Sequence, residues 1–166
     1  ALNHTAGLST PQQVQMVLFS LFELMDSADA YKHAMWRLVR SRHETLYRCI
    51  GLETDWDPES SGYYAELSLD EIARQLYRPD FVDWLLENVV AGELLYRIAD
   101  EARHSYEVLE KIEAGIVLMP GSGFGDTRPA ARVSLANLNE NAYAAIGTAI
   151  RHMLDEYWAR FQAEKS

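Results

Sequence analysis

Apolar residues crowd one early stretch of the chain, where Val14, Met16, Val17, Leu18, Leu21, Phe22 and Met25 follow one another with few polar breaks. Ser9 or Thr10 ahead of Pro11 supplies an N-cap and then a residue whose fixed φ suits a first helical turn. The pattern predicts a helix to about Asp26, buried on most sides. Asp26, Ser27 and Asp29 interrupt the run and offer a second cap. Beyond them Tyr31, Met35, Leu38, Arg42, Leu46 and Cys49 recur at three- and four-residue steps, which predicts a long amphipathic helix to Ile50, ended by Gly51. Lys32, Arg37, Arg40 and Arg48 fall on its other side and read as a solvated face.

Residues 53–62 hold aspartates, serines, a proline and a glycine, the composition of a loop. A short strand is expected over residues 63–67. Ser68 with Glu71 three positions on is the pattern of a capping box ahead of Ile72 and Leu76, and Pro79 can open another helix through Phe81, Leu85 and Val89. Gly92 weakens the helical pattern without forbidding it, and helix is expected again over residues 105–114. Residues 116–119 are apolar throughout, as in a strand covered on both faces. A loop over 120–129 leads to an alternating strand at 132–136, and Asn139 caps a last helix with Ala142, Ile146, Ala149, Ile150, Met153, Tyr157 and Phe161 on one side. The fold class is therefore α/β, of an α+β-like kind: long helices packed on a small sheet of about three strands.

A length of 166 residues with 48% apolar content suffices for one ordinary core without disulfides or metals. The formal charge of -10 opposes attraction to nucleic acid or to an anionic membrane surface, so those partners are set aside. A single cysteine, Cys49, gives no disulfide framework and fits a reducing compartment, with the cytoplasm as the default. No run reaches the roughly 20 apolar residues of a membrane helix, and the first residues do not have the pattern of a signal peptide. The chain opens without methionine, and its first element begins about ten residues in, as expected of a piece of a longer protein.

The histidines His4, His33, His43, His104 and His152 form no four-residue helical pair, so no metal site is expected. His33 and His43 share a helix but lie roughly 15 Å apart at 1.5 Å per residue, and both read as helix-surface side chains. Serines occur without a nucleophile elbow, and Cys49 has no activating pattern around it. Residues 120–125, PGSGFG, have the glycines of a phosphate loop but lack the Lys and Ser or Thr that complete one. They read as a sharp connection between strands or as a loop lying against a ligand. Arg132 is the most pointed polar residue. On a strand it shares a face with the small Ala130, Ser134 and Ala136, so its guanidinium can reach over them to grip a carboxylate; the alternative is a strand arginine paired with a structural acid.

Residues 120–138, PGSGFGDTRPAARVSLANL, resemble the strand-loop-strand of class I and II aminotransferases and their fold-type I pyridoxal 5'-phosphate (PLP) relatives. The opening STPQQVQMVLFSLFELMD and the closing ARVSLANLNENAYAAIGTAIRHMLDEYW are more particularly similar to the bifunctional aspartate aminotransferase/aspartate 4-decarboxylase branch. The resemblance implies that Arg132 holds the α-carboxylate of an amino-acid substrate, aspartate. It implies PLP as cofactor, bound by a large domain of the same chain, and homo-oligomeric assembly. Residues 1–27 would then be the end of the large-domain region with a connecting helix, and 28–166 the small C-terminal domain with the long interdomain helix. Lys32, Lys111 and Lys165 are the only lysines, and none has the context of the PLP lysine, so no catalytic or cofactor-binding residue is assigned within the chain, which is expected to be inactive alone. Two rivals stand beside this reading: an ordinary aspartate or aromatic aminotransferase, and a helical interaction module without catalysis.

Overall fold

The computed structural model describes residues 9–54, 56–110, 116, 118–124 and 128–166. The chain divides into two compact units, residues 1–37 and 38–166.

The first unit holds α1 (Thr10–Met25) and the start of α2 (Ala30–Ile50). The amide of Ser9 donates to the Gln12 side chain at 2.9 Å, closing the first turn of α1. Tyr31 meets Phe22 edge-on, with centroids 5.6 Å apart. The expected second cap forms, for the amide of Tyr31 donates to Asp26 Oδ2 at 2.8 Å. That bond holds the Asp26 carboxyl below its usual pKa. The expectation of a helix buried on most sides is corrected: no residue of α1 is buried, and Leu24 and Met25 are 82% and 83% exposed. Its apolar side chains recur all round the axis, and Phe19 and Phe22 meet Tyr31 at the start of α2.

In the second unit α2 ends at Gly51, whose φ of +94° belongs to the left-handed region and whose amide donates back to Tyr47 at 3.0 Å. There follow β1 (Tyr64–Ser68), α3 (Leu69–Leu76), α4 (Pro79–Asn88) and α5 (Ala91–Glu110). Then come β2 (Met119–Pro120), a 3-10 turn over Gly121–Phe124, β3 (Ala130–Ser134) and α6 (Glu140–Glu164). The strands form one antiparallel sheet in the order β1-β3-β2, and the helices of this unit pack with that three-stranded sheet, as expected.

Several boundaries differ from expectation. The expected capping box at Ser68 is absent: the Leu69 amide donates instead to the Pro129 carbonyl at 2.9 Å, and Glu71 pairs with Arg128. Tertiary partners have replaced the local ones. Helix α5 runs unbroken from Ala91, because Gly92 falls in its first turn, where few intrahelical bonds are yet made. Strand β3 begins two residues earlier than expected, and β2 comprises only Met119 and Pro120. Of the strand expected at 116–119, Ile116 and Leu118 are buried and Val117 lies outside the described residues, as do 111–114 of the expected helix, Gly115, and 125–127 of the loop.

Side chains alternate across the sheet. Ala65 and Leu67 of β1 and Ala131 and Val133 of β3 are buried in the core, while Tyr64 and Glu66 face outward. Against this core lies α6, with Tyr143, Ile146, Ile150, Met153 and Leu154 fully covered. Gly147 lets α6 cross α2 at backbone contact, since a Cβ there would lie 2.4 Å from the Leu46 carbonyl oxygen. Asn139 caps α6 as expected, its Oδ1 accepting from the Ala142 amide at 3.2 Å.

Candidate functional site

Arg132 occupies the middle of β3, the central strand, opposite Glu66 of β1 on one side and Met119 of β2 on the other. Because Ala131 and Val133 point into the core, Arg132 and Ser134 project from the outer face, on the parity expected from the sequence. Tyr64 joins them from β1. Its Cα pairs with Ser134, and its ring lies diagonally under the arginine, with the guanidinium carbon 3.5 Å from the ring centroid. These side chains line a cavity of about 300 Å³ together with Met119, Asn137 and Leu138. A tyrosine ring, a guanidinium, a hydroxyl and an amide thus converge on one space, a donor set suited to a small anion.

Glu66, opposite Arg132 in the strand register, also meets a second arginine. Arg128 Nη2 lies 3.5 Å from Glu66 Oε1, and Arg128 also pairs with Glu71. A larger cavity, about 530 Å³, runs along α5 past Tyr96, Asp100, Arg103 and Ile116. Arg103 there is matched by Asp100 at 2.7 Å and Glu107 at 3.2 Å within its own helix.

His43 corrects a sequence expectation. It is not a surface side chain of α2 but half-buried, stacked on Tyr47 at 4.5 Å and edge-on to Trp56 at 5.1 Å. Burial lowers its pKa, favouring the neutral ring. His152 Nδ1 lies 2.7 Å from Glu101 on the surface. Among the described residues no three His, Cys, Asp or Glu side chains are grouped to hold a metal ion.

The residues described do not fit a covalently held PLP. Lys32 pairs with Glu23 at 3.4 Å, Lys165 pairs with Asp80 at 2.9 Å, and Lys111 lies outside the described residues. The described lining of the Arg132 cavity contains neither a lysine nor an aspartate. Sequence reasoning placed Arg132 on this face but missed Tyr64 and Asn137. The period-two alternation of 64–68 carried part of the signal for Tyr64, whereas the strand register that brings it to Arg132 is not written locally.

No helix of the described residues is long and apolar enough to cross a membrane. No family model matches the chain. It is 51% identical, over 163 residues and 98% of its length, to a Pseudomonas sp. protein named bifunctional aspartate aminotransferase and L-aspartate beta-decarboxylase. The chain spans 28% of the length of that relative. The resemblance carried by residues 120–138 and by the two ends of the chain is thus to this bifunctional aspartate aminotransferase and L-aspartate beta-decarboxylase, at an identity that shows common descent.

Proposed function

We propose that this chain is the small-domain, C-terminal part of a PLP-dependent aspartate 4-decarboxylase, which converts L-aspartate to L-alanine and carbon dioxide with aminotransferase activity alongside. Arg132 is its substrate-binding residue and takes the α-carboxylate. The observation that carries the reading is the 51% identity to the bifunctional relative over nearly the whole chain. The outward, cavity-lining position of Arg132 supports it.

The role of the chain's own residues follows from their chemistry. A guanidinium presents two parallel N–H donors in one plane, which match both oxygens of a carboxylate, and it stays charged at any working pH. Holding the carboxylate there fixes the orientation of the rest of the amino acid. Asn137 and Ser134 add neutral donors beside it. PLP and its lysine belong in this reading to the remaining, larger part of the protein. The exposed apolar residues of α1, among them Leu18, Phe22 and Leu24, are the surface through which the chain joins that larger part, and the assembled enzyme is a homo-oligomer. Taken alone, the chain then self-associates through α1. Sedimentation showing a clean monomer without apolar dye binding would contradict this.

Product analysis of the full-length protein with L-aspartate tests the function. Alanine and carbon dioxide are expected. Oxaloacetate without alanine would make it an ordinary aminotransferase, and no turnover with bound PLP would overturn both readings.

A further inference from the structure

We infer that Tyr64 is a positioning residue for the carboxylate arginine, its ring setting the plane in which the Arg132 guanidinium meets the substrate. The inference rests on the proposed role of Arg132 and deepens it. A guanidinium carbon 3.5 Å from a ring centroid lies directly over the ring at van der Waals contact, so the two planar groups lie face against face. A ring face accepts nothing from N–H groups that lie in the guanidinium plane, so the stack restricts rotation of the fork while itself occupying none of its edge donors. An unstacked arginine would have to give up that rotational freedom on binding.

The placement of Tyr64 is built into the sheet. Its Cα pairs with Ser134, two residues from Arg132 along β3, and such diagonal neighbours are within reach of long side chains. The carbonyl of Tyr63 accepts from the Leu135 amide at 2.9 Å, holding the start of β1 against the end of β3. The Tyr63 ring meets the Tyr64 ring edge-on, with centroids 4.6 Å apart, and so supports it from the side. Tyr64 is itself 48% exposed and contributes nothing to the core, so loss of its ring leaves the sheet packed.

The test uses the full-length holoenzyme with two probes: L-aspartate turnover, and calorimetric binding of succinate, a dicarboxylate that lacks the reacting amine. Tyr64→Leu and Tyr64→Thr, the second a good strand former, are expected to raise KM for aspartate and Kd for succinate by about 3- to 30-fold while changing kcat less than about twofold. Tyr64→Phe keeps the ring and should bind both probes within about twofold of the parent. Thermal midpoints of all three should stay close to the parent's. If Arg132→Lys weakens both probes but neither Tyr64→Leu nor Tyr64→Thr does, the inference falls and the role of Arg132 stands. If Arg132→Lys itself behaves as the parent, the carboxylate reading falls first. Weakened binding that Tyr64→Phe fails to restore, or that comes with a lowered thermal midpoint, would assign Tyr64 a structural role only.

Discussion

The two faces of the sheet are made from alternate residues of the same strands, yet they obey different rules. The inner face, Ala65, Leu67, Ala131 and Val133, is small, apolar and covered; the outer face carries Tyr64, Glu66, Arg132 and Ser134, and Tyr64, Arg132 and Ser134 line a cavity. Inner residues interlock with α6 and determine whether the chain folds. Outer residues are positioned by that fold without holding it up. A strand can thus separate stability from chemistry at a spacing of one residue.

The sharpest break of this comparison is Leu67→Asp, which places an unpaired charge at a fully covered position. It should cost more than about 4 kcal/mol, enough to abolish cooperative urea unfolding of the chain. One residue across, on the outer face, Arg132→Lys should leave the unfolding midpoint nearly unchanged. In the full-length enzyme it should lower kcat/KM for aspartate by about 2 to 5 kcal/mol, or about 30- to several-thousand-fold. Steady-state kinetics beside a denaturation curve decides it, and a variant that loses stability and keeps activity would reverse the assignment of faces.

Behind the inner face, Gly147→Val forces a side chain against the Leu46 carbonyl and should destabilise by about 1 to 3 kcal/mol, read as a lowered thermal midpoint. The smallest effect is expected at the end of α6, where Asn139→Ala removes the bond to the Ala142 amide. A loss of about 1 kcal/mol should appear in denaturant unfolding, with kinetic constants otherwise intact.

What could be read in advance follows the reach of each interaction. The Asn139 cap, the Gly51 stop and the face of Arg132 depend on neighbours a few residues away, and all three stand as the sequence implied. The Ser68 cap looked equally local, but Pro129, some sixty residues on, captures the amide beside it. Tyr64 and Gly147 depend on register and helix crossing, which no single segment contains. His43 was misplaced for a related reason: the loop carrying Trp56 folds back over it. On α1 the apolar pattern was read correctly as helix, yet composition cannot say whether its partner lies within the chain.

Strand β3 stops two residues beyond Arg132, and its end is unusually well moored. The Tyr143 hydroxyl donates to the Ser134 carbonyl at 2.9 Å, and burial raises its pKa so that the proton stays in place. Arg42 of α2 reaches the next carbonyl, that of Leu135, at 2.7 Å, with its guanidinium carbon 5.6 Å from the Tyr143 ring. Two different helices therefore hold consecutive acceptors that a strand would otherwise offer to solvent. In mechanical terms Arg132 stands on a short lever, about 7 Å from a fixed support. Thermal fraying at the strand end cannot swing its charged tip far, and the aim of that tip is set by the scaffold before any ligand arrives.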